Sequence, residues 1–208
     1  MNKTNNFRSK NRFKKRNHSR NTSPKRNRLD VNKYISKRKD ARPKEEYQNN
    51  YSFEDFKLTN KLHENLTAKG YSTPSEIQDK SIISIMEGRD LVGVAGTGTG
   101  KTAAFLIPII QQLSHSKVDN YAMIIAPTRE LANQINDEFR SLTRGMDMFT
   151  TVLIGGSSVP DSIRSLRRTN HVIIGTPGRI LDMANRGILK LKNFKTLVLD
   201  EFDRMLDM

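Results

Sequence analysis

Five short apolar runs recur along the chain, and a stretch with helical character follows each of the first four. They read DLVGVA at 90–95, YAMIIA at 121–126, TTVLIG at 150–155, HVIIGT at 171–176 and TLVLD at 196–200. Runs this short and this rich in Val, Ile and Leu, with no polar alternation, are strands buried on both faces. Interleaved with helices, they predict a parallel sheet covered on both sides, an α/β domain. Helices are expected at about 101–113, 129–144, 160–168 and 177–185. Two more precede the first run, one through Leu58, Leu62 and Leu66 and one from about 74 to 86. In such sheets ligands bind at the carboxyl ends of the strands. The loops after the runs are therefore where chemistry is to be sought.

The first of those loops reads AGTGTGKT, residues 95–102. Gly98 and Gly100 let the backbone curl until successive N–H groups face one centre, and a helix starting at about Lys101 adds its positive end. Lys101 can reach the β- and γ-phosphates of a nucleotide, and the Thr102 hydroxyl can ligate Mg²⁺. The generic phosphate-loop pattern is missed once, because Ala95 stands where its first glycine belongs. The last run delivers Asp200 and Glu201. Asp200 is suited to orient Mg²⁺, partly through water, and Glu201 to orient or deprotonate the water that attacks a γ-phosphate.

The net charge of +14 suggests a nucleic-acid partner. Residues 1–50 hold 17 Lys/Arg against 4 Asp/Glu, which leaves 19 against 18 in residues 51–208. The chain thus reads as a basic tail, 1–50, joined to a nearly neutral domain, 51–208. The tail has too little apolar surface to offset its ordering entropy and is expected to be disordered. It can tether RNA electrostatically, with Phe7, Phe13 and Tyr34 interspersed, or it can simply aid solubility.

Absence of cysteine excludes disulfides and thiolate metal sites and fits a reducing compartment. No apolar run approaches the ~18 residues of a membrane span, and no secretory signal is present, so a cytoplasmic protein is expected. The first 29 residues lack acids, as mitochondrial transit peptides do, but their apolar residues are too sparse for an amphipathic helix.

Several segments together resemble the DEAD-box RNA helicases of superfamily 2, over residues 51–208. GYSTPSEIQ, residues 70–78, is similar to that family's Q motif, and Phe53 stands where the family keeps an isolated aromatic. AGTGTGKT is similar to its A-x-T-G-x-G-K-T loop, which accounts for Ala95. PTRELA at 127–132 resembles motif Ia, Gly155-Gly156 the glycine doublet, TPGR at 176–179 motif Ib, and DEFD at 200–203 the motif that names the family. Two departures stand out, Gly96 for a longer polar residue and Phe202 for alanine.

The resemblance implies a RecA-like P-loop domain whose ATP site comprises Phe53, Tyr71 and Gln78 around adenine and Ala95, Gly96, Thr97, Gly98, Thr99, Gly100, Lys101 and Thr102 around the phosphates. It further implies catalysis by Lys101, Asp200 and Glu201, Mg²⁺ held at Thr102 and Asp200, and coupling between domains through Asp203. Pro127, Thr128, Arg129, Gly155, Gly156, Thr176, Pro177, Gly178 and Arg179 line an RNA groove in that family. Backbone-directed contacts predict little sequence specificity, with RNA told from DNA by its 2′-hydroxyls and shape.

The family's members are expected to be monomers that work on RNA and ribonucleoprotein particles. They carry a Ser-Ala-Thr segment and a second RecA-like domain beyond the point matched by Met208. The 208 residues alone are thus expected to bind nucleotide weakly and hydrolyse it negligibly. The larger side chain of Phe202 must find room beside the sheet, where overpacking costs ~1–3 kcal/mol unless neighbours adapt. A different class of function stays open, a non-catalytic RNA-binding or chaperone module driven by the tail. A DNA helicase or another P-loop ATPase is disfavoured by the Q motif, Phe53 and DEFD together.

Overall fold

The computed structural model describes residues 47–116 and 118–207. All but the last four residues of the predicted tail lie outside the described residues. Helices α1 (Asn60–Ala68), α2 (Glu76–Met86) and α3 (Lys101–His115) come first. Strand β1 (Ala122–Ile125), α4 (Arg129–Leu142), β2 (Thr150–Leu153), α5 (Val159–Leu166), β3 (Val172–Gly175), α6 (Pro177–Asn185), β4 (Thr196–Leu199) and the short α7 (Phe202–Leu206) follow. The four strands form one sheet in the order β2-β3-β1-β4, and every pairing is parallel. In register, Ala122 lies between Val172 and Thr196, so side chains at equivalent positions share a face.

Alternation along the strands splits the core in two. Ala122, Ile124, Val172 and Ile174 point into a large cluster with Leu62, Leu66, Leu106, Ile110, Ile135 and Phe139, contributed by α1, α3 and α4. Met123, Ile173 and Leu153 point the other way, onto Ile180 and Met183 of α6 and the inner residues of α5. The two-faced burial explains why these runs are continuously apolar. The expected parallel α/β sheet is thus present, with helices on both sides.

The run at 90–95 departs from expectation: it is not a strand. It pairs with none of the four strands, and Val92 and Val94 are 94% and 95% exposed. An extended apolar segment becomes a strand only through a neighbour's ladder of N–H and C=O groups. Strands β1 and β3 have both edges occupied, and the run does not add to the free edge of β2 or β4. Leu197 and Leu199 share a face with Met123 and Ile125 but remain 60% and 43% exposed, so the sheet is uncovered over β4.

Residues 47–51 are fastened to α2 by one carboxylate. Asp79, buried, accepts from the Tyr47 hydroxyl at 2.5 Å, from the Asn50 amide N–H and side chain at 3.1 and 2.9 Å, and from the Tyr51 N–H at 2.8 Å. Burial alone would raise the Asp79 carboxyl, but these donors outweigh it and hold it below the usual carboxylate range. The Tyr47 hydroxyl, donating to that carboxylate, is pushed up to about 12. A depressed carboxyl stabilises the fold above its unfolded pKa and loses that contribution as pH falls through the folded one. Asp79→Ala is therefore expected to lower stability by roughly 2–3 kcal/mol at neutral pH. In urea unfolding, the gap between wild type and Asp79→Asn should close below about pH 4.

Candidate nucleotide and nucleic-acid sites

The phosphate loop closes on itself through glycine geometry. Gly100 caps α3 in the left-handed region at φ 91°, and a Cβ there would lie 2.5 Å from Gln78 Nε2. Only glycine satisfies both constraints. Gln78 explains the close approach, since its side chain accepts from the Ser75 N–H at 2.9 Å and donates to the Gly100 carbonyl at 3.1 Å. The amide thereby joins the start of α2 to the start of α3. The Thr99 hydroxyl donates to the Gly96 carbonyl at 2.8 Å, and Lys101 Nζ donates to the carbonyls of Ala95 and Gly96 at 2.6 and 3.2 Å. The ammonium rests on the loop that would otherwise wrap a phosphate, and no acidic residue occupies the first turn of α3. An anion is favoured there by the helix end.

Asp200 follows β4, 8% exposed, with its own N–H donating to the Ile125 carbonyl at 2.9 Å. Burial raises its carboxyl above the ordinary value, the Glu201 N–H at 3.1 Å lowers it, the Glu201 charge raises it and the Lys101 charge lowers it. Net, the carboxyl is raised. The Lys101 contribution places the loop's cation within electrostatic reach of the strand-end carboxylate. Glu201 adopts φ 50°, ψ 49°, a left-handed conformation that costs a non-glycine residue about 1–2 kcal/mol. Its carboxylate is met by Arg204 Nη1 at 2.6 Å. Phe202 is half exposed on α7, so it overpacks nothing, and Asp203 lies beside it, also exposed.

The aromatic pair is less open than its expected adenine contact suggests. Phe53 is 3% exposed, edge-on to Phe56 at 5.8 Å and to Tyr71 at 6.0 Å. The Tyr71 hydroxyl donates to Glu138 on α4 at 3.0 Å, and Lys69 donates to the same carboxylate at 2.8 Å. Burial, then the Glu138 charge and hydrogen bond, push Tyr71 up to about 12.

Three chain-distant segments converge on one cavity of about 850 Å³. Pro127, Thr128 and Arg129 open α4, Gly155 follows β2, and Thr176, Pro177, Gly178 and Arg179 open α6. Thr128 accepts from the Leu131 N–H at 3.2 Å and so caps α4. Gly156, at φ 85°, leaves room for Arg129, whose Nη1 lies 2.6 Å from where a Cβ would stand. Arg179 donates to the Ser157 carbonyl at 2.7 Å and to the Ser162 hydroxyl at 3.1 Å. Arg129 thus packs against the glycine doublet, and Arg179 holds the segment that follows it. Glu130, Asp182 and Met205 complete the lining. Glu130 falls inside the PTRELA segment, but nothing in the sequence flagged Asp182 or Met205, which belong to the cavity only through the fold.

Comparison with known proteins bears on the whole arrangement. Residues 75–208 match the family model described as DEAD/DEAH box helicase. The chain is 47% identical over 161 residues to the ATP-dependent rRNA helicase RRP3 of Saccharomyces cerevisiae, covering 76% of this chain and 32% of that protein. It is 44% identical over 156 residues to the ATP-dependent RNA helicase CshA of Listeria monocytogenes, covering 75% and 30%. Among solved structures, a DEAD box protein from the hyperthermophile Methanococcus jannaschii matches with a TM-score of 0.72 at 39% identity, over 76% of this chain and 44% of that one. The chain spans about a third of the length of these curated relatives.

Proposed function

The chain belongs to the DEAD/DEAH box helicase family, and from that premise we propose that it forms the nucleotide-binding part of an ATP-dependent RNA helicase. One observation carries the reading: segments from three strand ends meet in a single cavity edged by two arginines and two helix starts. That cavity suits a phosphodiester backbone, with N–H groups and guanidinium groups facing it.

The nucleotide site supports the same reading. The phosphate loop presents a helix end and a lysine held by loop carbonyls, which a phosphate can replace. Beside it the buried Ser75 hydroxyl has no partner among the described residues, as a group awaiting a ligand would. Gln78 holds the loop in place with one N–H and one lone pair of its amide, which leaves a second donor and a second acceptor site for an adenine edge.

Among the described residues no three His, Cys, Asp or Glu side chains gather around one point. Mg²⁺ accordingly fits only with a nucleotide's phosphate oxygens and water, with Thr102 and Asp200 as the protein's share. When bound, the ion neutralises charge on the transferred phosphate. Glu201, on its fixed left-handed backbone, orients the attacking water. Asp203, exposed on α7, is available to a second domain.

RNA is the proposed partner, in ribonucleoprotein particles and without strong sequence preference. The protein is proposed to act as a cytoplasmic monomer. No helix among the described residues is long and apolar enough to cross a membrane.

The test is coupling. RNA affinity of the whole gene product should rise with a non-hydrolysable ATP analogue, and its ATP turnover should rise with RNA. RNA binding indifferent to nucleotide would instead assign the interaction to the basic tail.

A further inference from the structure

The outer face of α5 carries a feature that the groove does not use. Pro160, Ile163, Arg164, Arg167 and Arg168 surround a second, open cavity of about 470 Å³. Their spacings of three and four put them on one face of the helix and its last turn. All three arginines are exposed. Arg164 stands 3.6 Å from the Asp161 carboxylate, a surface pair that holds weakly. Among the described residues no carboxylate pairs with Arg167 or Arg168. The result is an apolar floor with a cationic rim.

Continuity decides what such a rim is for. Helix α5 begins directly after the glycine doublet, and Arg179 binds both the Ser157 carbonyl before it and Ser162 within it. The helix is therefore fastened to the groove through Arg179, although none of its own residues lines the cavity. It packs on β2, the edge strand, so its outer face is the end of the sheet. From Ser158 to Arg168 it carries the rim about 15 Å away from the groove.

We propose that the RNA path continues past the groove over the outer face of α5, where Arg164, Arg167 and Arg168 hold phosphates of nucleotides beyond those seated at the glycine doublet. Guanidinium groups bind phosphate in a fork, and a floor of Pro160 and the half-exposed margin of Ile163, whose inner side packs into the core, accepts a ribose or base face. An acidic peptide would satisfy the same guanidinium groups. RNA is favoured because the adjoining groove is proposed to seat the same strand. The proposal rests on the RNA reading of the groove.

The test compares a single-stranded RNA of about six nucleotides with one of about twenty, by fluorescence anisotropy on the full chain. Arg164→Glu, Arg167→Glu and Arg168→Glu combined should weaken the long RNA by about tenfold or more. The slope of log affinity against log salt should fall by about two, at roughly 0.7 for each phosphate that is no longer neutralised. The short RNA should change less than about threefold. Lys190→Glu, Lys192→Glu and Lys195→Glu combined make the same change in net charge and should leave the long RNA nearly untouched.

Equal losses for both lengths, or from both triple variants, would reduce the effect to general electrostatics and overturn the proposal. Unchanged RNA binding with loss of a polyglutamate peptide would assign the face to an acidic partner and overturn it as well. Arg129→Ala separates the two levels. If it weakens both lengths while the α5 variant is silent, only the extension fails. If it weakens neither, the groove reading fails and takes the extension with it.

Discussion

Lys101→Ala should lower the affinity of the whole gene product for a fluorescent ATP analogue by about 100-fold or more, read by anisotropy titration. The Lys101 ammonium now rests on two carbonyls of its own loop, at 2.6 and 3.2 Å. A nucleotide offers β- and γ-phosphate oxygens in their place, and charge-assisted hydrogen bonds contribute about 1.5–3 kcal/mol each. Two such bonds amount to two or more decades of affinity. The fold should barely register the change, because the ammonium's hydrogen bonds stay within its own loop. Unchanged urea unfolding therefore has to accompany the lost binding. Lys101→Arg sharpens the result: it keeps the charge but replaces a compact ammonium with a planar fork that the loop cannot close around. An alanine variant that binds ATP like wild type would falsify the phosphate role of the loop.

The residues that read most plainly in the sequence are those whose signal is local. Continuously apolar runs gave away β1 to β4, and helix starts at Lys101, Arg129 and Pro177 followed from the residues that open them. The groove was legible for the same reason. Thr128 and Thr176 cap helices that follow strands, so the sheet's own geometry carries them to one edge. The run at 90–95 misled because periodicity reports how a segment would like to be buried, not whether a neighbour exists.

Partnerships between distant residues left no trace at all. Tyr47 and Asp79 stand 32 positions apart, and Gln78 and Gly100 stand 22 apart. Gln78 and Gly100 are each singled out by their own motif, but no local pattern links either pair across those separations. Phe202 misled by size, since its cost depends on where α7 points the ring, and the ring points to solvent. Gln78 and Arg179 share a further property: the structure holds each of them by internal partners. Such groups are pre-positioned for a ligand, because the internal bonds fix the side chain while its remaining donors stay available.

Glu201→Gln should leave ATP affinity within a few-fold of wild type and cut RNA-stimulated turnover of the whole gene product by about 10²–10⁴. The substitution is chosen because of what it preserves. Glu201 occupies a left-handed backbone position at the junction of β4 and α7, and glutamine meets the same backbone cost there. Arg204 Nη1, at 2.6 Å from the carboxylate, can still donate to the amide oxygen. Asp200, with its N–H on Ile125 and its charge facing Lys101, is untouched. What disappears is a negatively charged acceptor able to orient a water and take its proton, which is the step assigned to this side chain. Asp200→Asn makes the contrast, because it removes the buried strand-end carboxylate assigned to Mg²⁺ and should weaken Mg²⁺-dependent nucleotide binding itself. Turnover that survives Glu201→Gln would move the water-activating role elsewhere, and a loss of ATP binding in that variant would show that Glu201 serves the ground state instead.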